Sequence, residues 1–160
     1  MLNFLSKTWV MVILFVLMMA IGYSFSFVQI GAGGALLDTL WTGEEASARL
    51  SEMTREQKDA HLWGTLMNDT IYPLAYGGLF MGLIWRFAGS LRRWFILPPI
   101  AVTITDLAEN MTQAAALMGN DAFLGLKDVL TPAKFGLFAL AAVLVLVSVV
   151  LAVIRRVRAD

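Results

Sequence analysis

Residues 94–118 read WFILPPIAVTITDLAENMTQAAALM, a stretch as long as a membrane crossing with Asp106, Glu109 and Asn110 near its middle. A hydrocarbon core about 30 Å thick is crossed by roughly 20 apolar residues. A charged side chain at mid-span costs about 2.5–3.5 kcal/mol on insertion scales, so this helix needs partners from neighbouring helices. The stretch therefore predicts a bundle rather than a lone anchor. Its run Thr105-Asp106-Leu107-Ala108-Glu109-Asn110 is the place to look for function, because intramembrane carboxylates mark functional sites by default.

Three further stretches reach spanning length, near 9–30, 63–86 and 135–154. Trp9, Trp63, Trp85 and Trp94 fall at the proposed ends, where an amphipathic indole prefers the headgroup level. The 160 residues are 59% hydrophobic with a mean hydropathy of +0.73, too apolar for an ordinary soluble domain. The predicted fold is all-α: a single-domain integral membrane four-helix bundle over residues 1–160, up and down, with one longer external loop at 31–62.

Zero formal net charge points to no nucleic-acid partner, and membrane lipids are the partners implied. Without cysteine there are no disulfides, thiolate metal sites, iron–sulfur clusters or cysteine nucleophiles. One histidine, His61, cannot build the usual zinc sites, so no metal and no cofactor are expected. His61 lies just outside Trp63, where an interfacial or hydrogen-bonded role is expected of it rather than ligation. The nine methionines read as fillers of core gaps. No nucleophile elbow, phosphate-binding glycine loop or zinc-protease motif occurs, which disfavours the familiar hydrolase and nucleotide-binding classes.

Orientation follows from the basic residues flanking the spans. Lys7, then Arg86, Arg92 and Arg93, then Arg155, Arg156 and Arg158 map to one side, so both termini are read as cytoplasmic. A cleaved signal peptide is the alternative for the first span, given the small residues Ala32-Gly33-Gly34-Ala35. Its apolar run is longer than the usual signal core of about 7–15 residues, which favours a retained helix.

Within the loop, Ala46, Leu50, Met53, Gln57 and Ala60 recur at helical spacing, and Thr42/Glu45 and Thr54/Gln57 fit capping boxes. A short amphipathic helix is expected, then a second that runs on into span two. The segment is read as a connector resting on the outer surface, with a lid over a site below as the sharper alternative.

At 100° per residue, Asp106, Glu109, Asn110 and Gln113 share an arc of about 100° on span three. On span two, Thr65, Asp69, Tyr72 and Tyr76 fall within about 60°, with His61 and Asn68 at the margin. Span one offers a weaker stripe of Gly22, Ser26, Gln29 and Gly33, and Lys134 opens span four. Counted from the tryptophans, Asp69 lies about 9 Å below the outer boundary and Glu109 about 22 Å above the inner one, nearly level with each other. These stripes predict one acidic cluster in the outer half of the bundle, built from Asp69, Asp106 and Glu109. Tyr72, Tyr76, Asn110 and Gln113 are its polar neighbours, and Lys134 balances charge at its mouth. Two close carboxyls would titrate as a coupled pair. The purely structural alternative is an interhelical hydrogen-bond network that only locks the helices together.

Gly78 and Gly82 form a GxxxG element opposite Asp69, which suits close packing inside the chain or a helix-packing partner. Asn68-Asp69-Thr70 and Asn110-Met111-Thr112 match the glycosylation sequon but fall inside proposed spans.

The succession Asp69-Thr70-Ile71-Tyr72-Pro73-Leu74-Ala75-Tyr76, Asp106-Leu107-Ala108-Glu109-Asn110 and Thr131-Pro132-Ala133-Lys134 resembles a group of small four-span bacterial membrane proteins. The likeness covers roughly residues 54–150, and Asp106-x-x-Glu109-Asn110 is its most specific element. It implies a multi-pass protein of the bacterial inner (plasma) membrane and implies no substrate. The leading functional expectation is a module that binds a small ligand, an ion or a proton rather than an enzyme. The alternatives are an intramembrane enzyme acting on a lipid or isoprenoid, and an accessory subunit of a membrane complex.

Overall fold

A computed structural model describes residues 1–158, and their regular structure is entirely helical. The α-helices are α1 (Leu2–Leu5), α2 (Thr8–Gly31), α3 (Gly43–Glu52), α4 (Arg55–Phe87), α5 (Arg92–Phe95), α6 (Leu97–Leu117) and α7 (Lys127–Val157). Two segments, Thr8–Gly31 and Leu124–Val157, are long and apolar enough to cross a membrane. The other two long helices, α4 and α6, carry the buried polar faces that lower their hydropathy.

The expected boundaries shift for identifiable reasons. Thr54 and Gln57 form the expected capping box, so α4 starts eight residues before Trp63 and runs on, as expected, through the whole second apolar stretch to Phe87. Pro98 and Pro99 mark a helix start: α5 ends at Phe95 and α6 begins at Leu97 with proline in its first turn, where the missing N–H has no helical partner to lose. At the other end, α7 starts at Lys127, which places Lys134 two turns inside the helix instead of at its opening.

α4 is the hub. α2 lies along one side of it, α6 and α7 lie along the other, and α6 packs against α7, whereas α2 and α7 barely touch. Small residues allow these approaches. A Cβ on Gly64 would collide with Val28 of α2, and one on Gly77 would collide with Thr103 Oγ1 of α6. Gly78 and Gly82 face Leu5, Met11 and Leu14, so the chain's own first helices cover the GxxxG face.

The loop is a folded cap. Leu36, Leu37, Ala46, Leu50 and Met53 form a buried apolar cluster with Ala116 and Leu117 at the end of α6 and Leu124 just before α7. Thr42 and Glu45 make the expected capping box on α3, and the Gly43 N–H donates to Asp128 Oδ1 at 2.7 Å, fixing α3 to the start of α7. Arg49 donates to the carbonyls of Ala32 and Ala35. The Leu37 N–H donates to His61 Nε2 at 2.8 Å. That bond requires an unprotonated Nε2, so the imidazole proton sits on Nδ1, 3.1 Å from Thr65 Oγ1. Burial pushes His61 below its ordinary value of 6.5, which suits this neutral form.

Candidate functional site

Pro73 sets the geometry of the site from within α4. Having no N–H, it leaves the carbonyl of Asp69, one turn earlier, without its helical donor. Asn110 of α6 supplies the missing bond, its Nδ2 donating to Asp69 O at 2.5 Å. The two polar stripes predicted on spans two and three thus face each other, and Asp69 is turned inward with 5% of its surface exposed.

Beside this contact lies an ionic cluster. Glu109 is fully buried. Its Oε1 accepts from Lys127 Nζ and, at 2.6 Å, from Thr131 Oγ1, while Lys134 Nζ lies 2.7 Å from Oε2. Lys134 also bonds Asp38 Oδ1 at 2.5 Å and stands 3.6 Å from Asp106 Oδ1. The other oxygen of Asp106 accepts from the Tyr76 hydroxyl at 2.8 Å. Lys127, Thr131 and Lys134 recur at helical spacing, which brings them to one side of α7 opposite Glu109. Lys134 is the centre of the cluster and not its mouth.

A cavity of about 520 Å³ opens beside these groups. Asp69, Tyr72 and Tyr76 of α4 form its back, Gly22 and Phe25 of α2 one flank, and Phe135 and Phe138 of α7 the other. Leu36, Asp38 and Thr39 of the cap border it, and Asp106 and Lys134 complete its polar wall. Because α2 and α7 barely meet, the cavity lies at the gap between them.

Of the residues singled out in the sequence, Asp69, Tyr72, Tyr76, Asp106 and Lys134 border this cavity. Glu109 stands behind them in its own ion pairs. Asn110 is engaged with Asp69 and also borders a smaller cavity of about 280 Å³ with Thr65 and Thr70. Gln113 is buried, with neither amide atom hydrogen-bonded, and does not join the ionic cluster. Lys127 and Asp38 were not among the expected site residues, and Thr131 entered only through the resemblance. Lys127 and Thr131 had a signal in their spacing relative to Lys134, but Asp38 had none, since its position depends on how the cap folds back.

Asp38, Asp106 and Glu109 can bring one oxygen each to within 4.8 Å of one another, a spacing compatible with a metal ion. Lys134 Nζ already stands among these three carboxylates, so an ammonium serves as the cation there. The cluster as a whole contains four carboxyls (Asp38, Asp69, Asp106, Glu109) and two ammoniums (Lys127, Lys134). Asp69 makes no ion pair with any described residue; the Thr65 hydroxyl is its polar neighbour. Comparison of the chain with family models, curated proteins and solved structures finds no match.

Proposed function

We propose that this chain is a four-span protein of the bacterial inner membrane, both termini cytoplasmic, which binds a small ligand, an ion or a proton at the cavity bordered by Asp69. The exposed surface supports the membrane reading. α2 turns Val12, Phe15, Val16 and Met19 outward, and α7 turns Val143, Leu146, Val150 and Val153 outward. α4 and α6 do likewise with Leu66, Met67, Ile71, Leu74, Ile104 and Met111. So much apolar surface is a liability in water and ordinary in lipid.

The observation that carries the binding reading is the surplus of carboxyls. Lys127 and Lys134 are engaged by Glu109, Asp38 and Asp106, while Asp69 borders the cavity without a cationic partner among the described residues. A buried charge without a partner is costly, so a proton or a positively charged group arriving at Asp69 offsets that cost. Glu109 holds the cluster together, and Asp69 responds to what enters.

Infrared difference spectroscopy on purified protein in lipid nanodiscs tests this reading, using pH steps for protons and methylammonium chloride as the small-cation probe. The expected result is a carboxyl band that changes in the wild type and is lost in Asp69→Asn. Identical difference spectra in wild type, Asp69→Asn and Asp106→Asn would end the proposal.

The gap between α2 and α7 supports a second reading, an intramembrane enzyme admitting a lipid or isoprenoid sideways, with Asp106 as general acid beside Tyr76. A radiolabelled lipid extract altered by the wild type but not by Asp106→Asn supports this reading; an extract left unchanged by both rules it out.

A further inference from the structure

The aromatic wall of the cavity specifies more than a site for any cation. Phe25 meets Tyr72 edge-to-face at 5.5 Å, Tyr72 meets Tyr76 at 5.5 Å, and Tyr76 meets Phe138 at 5.1 Å. These four rings form a continuous surface from α2 across α4 to α7, with Asp69 and Asp106 beside it. Aromatic faces attract ammonium groups through their quadrupoles, more strongly where water is excluded. A small inorganic cation would coordinate oxygens and leave most of this wall unused.

We propose that the cavity takes an amphiphile whose polar end is a protonated amine and whose apolar chain leaves through the gap between α2 and α7. The inference rests on the binding reading above and names the ligand class for that same site. Three carboxyls (Asp38, Asp69 and Asp106) border the cavity against one ammonium, Lys134, and that ammonium is already surrounded by carboxylates. An anionic headgroup meets like charge there. A neutral one leaves Asp69 without a counter-charge. An ammonium gains the Asp69 carboxylate and stands beside the aromatic rings that line the cavity.

The volume fits as well. About 520 Å³ lies within the range of roughly 300–1,000 Å³ that small-molecule sites occupy. The tail has an apolar route: Phe135 stands 42% exposed at the cavity edge, with Trp41 of the cap stacked on it at 5.3 Å. Gly22 brings α2 up to the aromatic wall: a Cβ there would touch the Tyr72 ring at 3.7 Å, so a larger side chain at this position enters the cavity.

Equilibrium binding of radiolabelled dodecylamine to the purified full chain in a neutral detergent, with protein-free micelles subtracted, tests the proposal. Dodecanol and methylammonium serve as the probes that have only the tail or only the head. Saturable dodecylamine binding is expected, at least tenfold tighter than either control, weakened at least tenfold by Asp69→Asn and several-fold by Tyr72→Leu. Gly22→Leu, which fills the cavity from α2 and leaves every carboxyl in place, is expected to block binding and keeps the test decisive if Asp69→Asn fails to fold. Dodecanol binding as tightly as the amine, insensitive to Asp69→Asn, overturns the amine assignment. A methylammonium response at Asp69 with no gain from the alkyl chain also overturns it and leaves the small-cation reading standing. No response to any probe refutes both.

Discussion

The side-chain amide of Asn110 donates to the backbone carbonyl of Asp69 at 2.5 Å, on the carbonyl that Pro73 leaves without a helical donor. One residue thereby repairs a defect in a neighbouring helix and brings the two acidic stripes face to face. A buried carbonyl left unsatisfied costs about 1–3 kcal/mol. Asn110→Ala is expected to destabilise the protein by about that amount. In a Pro73→Ala background the restored N–H takes over the carbonyl, so the same substitution should cost much less. Thermal unfolding of the four proteins of this cycle measures the coupling, and additive effects would contradict the account.

Glu109 carries the ionic cluster, with Lys127, Lys134 and Thr131 all directed at its carboxylate. Removing one partner of a buried ion pair typically costs about 3–5 kcal/mol, because the surviving charge stays uncompensated. Glu109→Gln is expected to lower the yield of monodisperse protein sharply in size-exclusion chromatography. The double variant Glu109→Gln with Lys127→Met removes one stranded charge and should recover part of that loss.

His61 makes the stability of the cap dependent on pH. Its folded-state pKa lies below the ordinary value of 6.5, with burial as the main cause; Asp38 opposes the shift, and Arg49 and Lys127 reinforce it. The unfolded chain therefore binds the proton more readily. His61 contributes fully above pH 6.5, and its contribution is lost as pH falls from there toward the folded value. Protonation also places a hydrogen on Nε2, where the Leu37 N–H now donates. Hydrogen exchange at the Leu37 amide, corrected for its intrinsic pH dependence, should accelerate over this window. A Leu37 amide whose protection is constant through the window would refute the assignment.

The proposed topology places the cap outside the cell and the α4–α5 connection inside. The chain has no cysteine, so single-cysteine variants need no background removal. Ser51 and Ser90 are both exposed, one on α3 and one just after α4. Ser51→Cys in intact cells or right-side-out vesicles should react with a membrane-impermeant maleimide, and Ser90→Cys should react only after permeabilisation. The reverse pattern would invert the orientation.

Much of this molecule is legible in the order of its residues. Helical periodicity put Asp69, Tyr72 and Tyr76 on one face of α4 and Asp106, Glu109 and Asn110 on one face of α6, because the angle between side chains on a helix depends only on their separation. Both capping boxes were readable for the same reason, since each lies within four consecutive residues. Gln113 has the right angular position, yet it lies one turn beyond Glu109 and makes no hydrogen bond to the lysines of α7. Lys134 was expected at a helix opening because the start of α7 is polar and short of apolar signal, whereas contacts with the cap and α6 extend the helix back to Lys127.

By itself the sequence determined the helices, their polar faces and the carboxyls that needed partners, all of which follow from local spacing and composition. Only the tertiary structure decided which cation answers which carboxyl. Asp38 reaches Lys134 across 96 positions of chain, and that pairing depends on how the cap folds back over α6 and α7. The unpartnered state of Asp69 and the gap between α2 and α7 belong to the same level, because each is set by the distances between elements that no local pattern encodes.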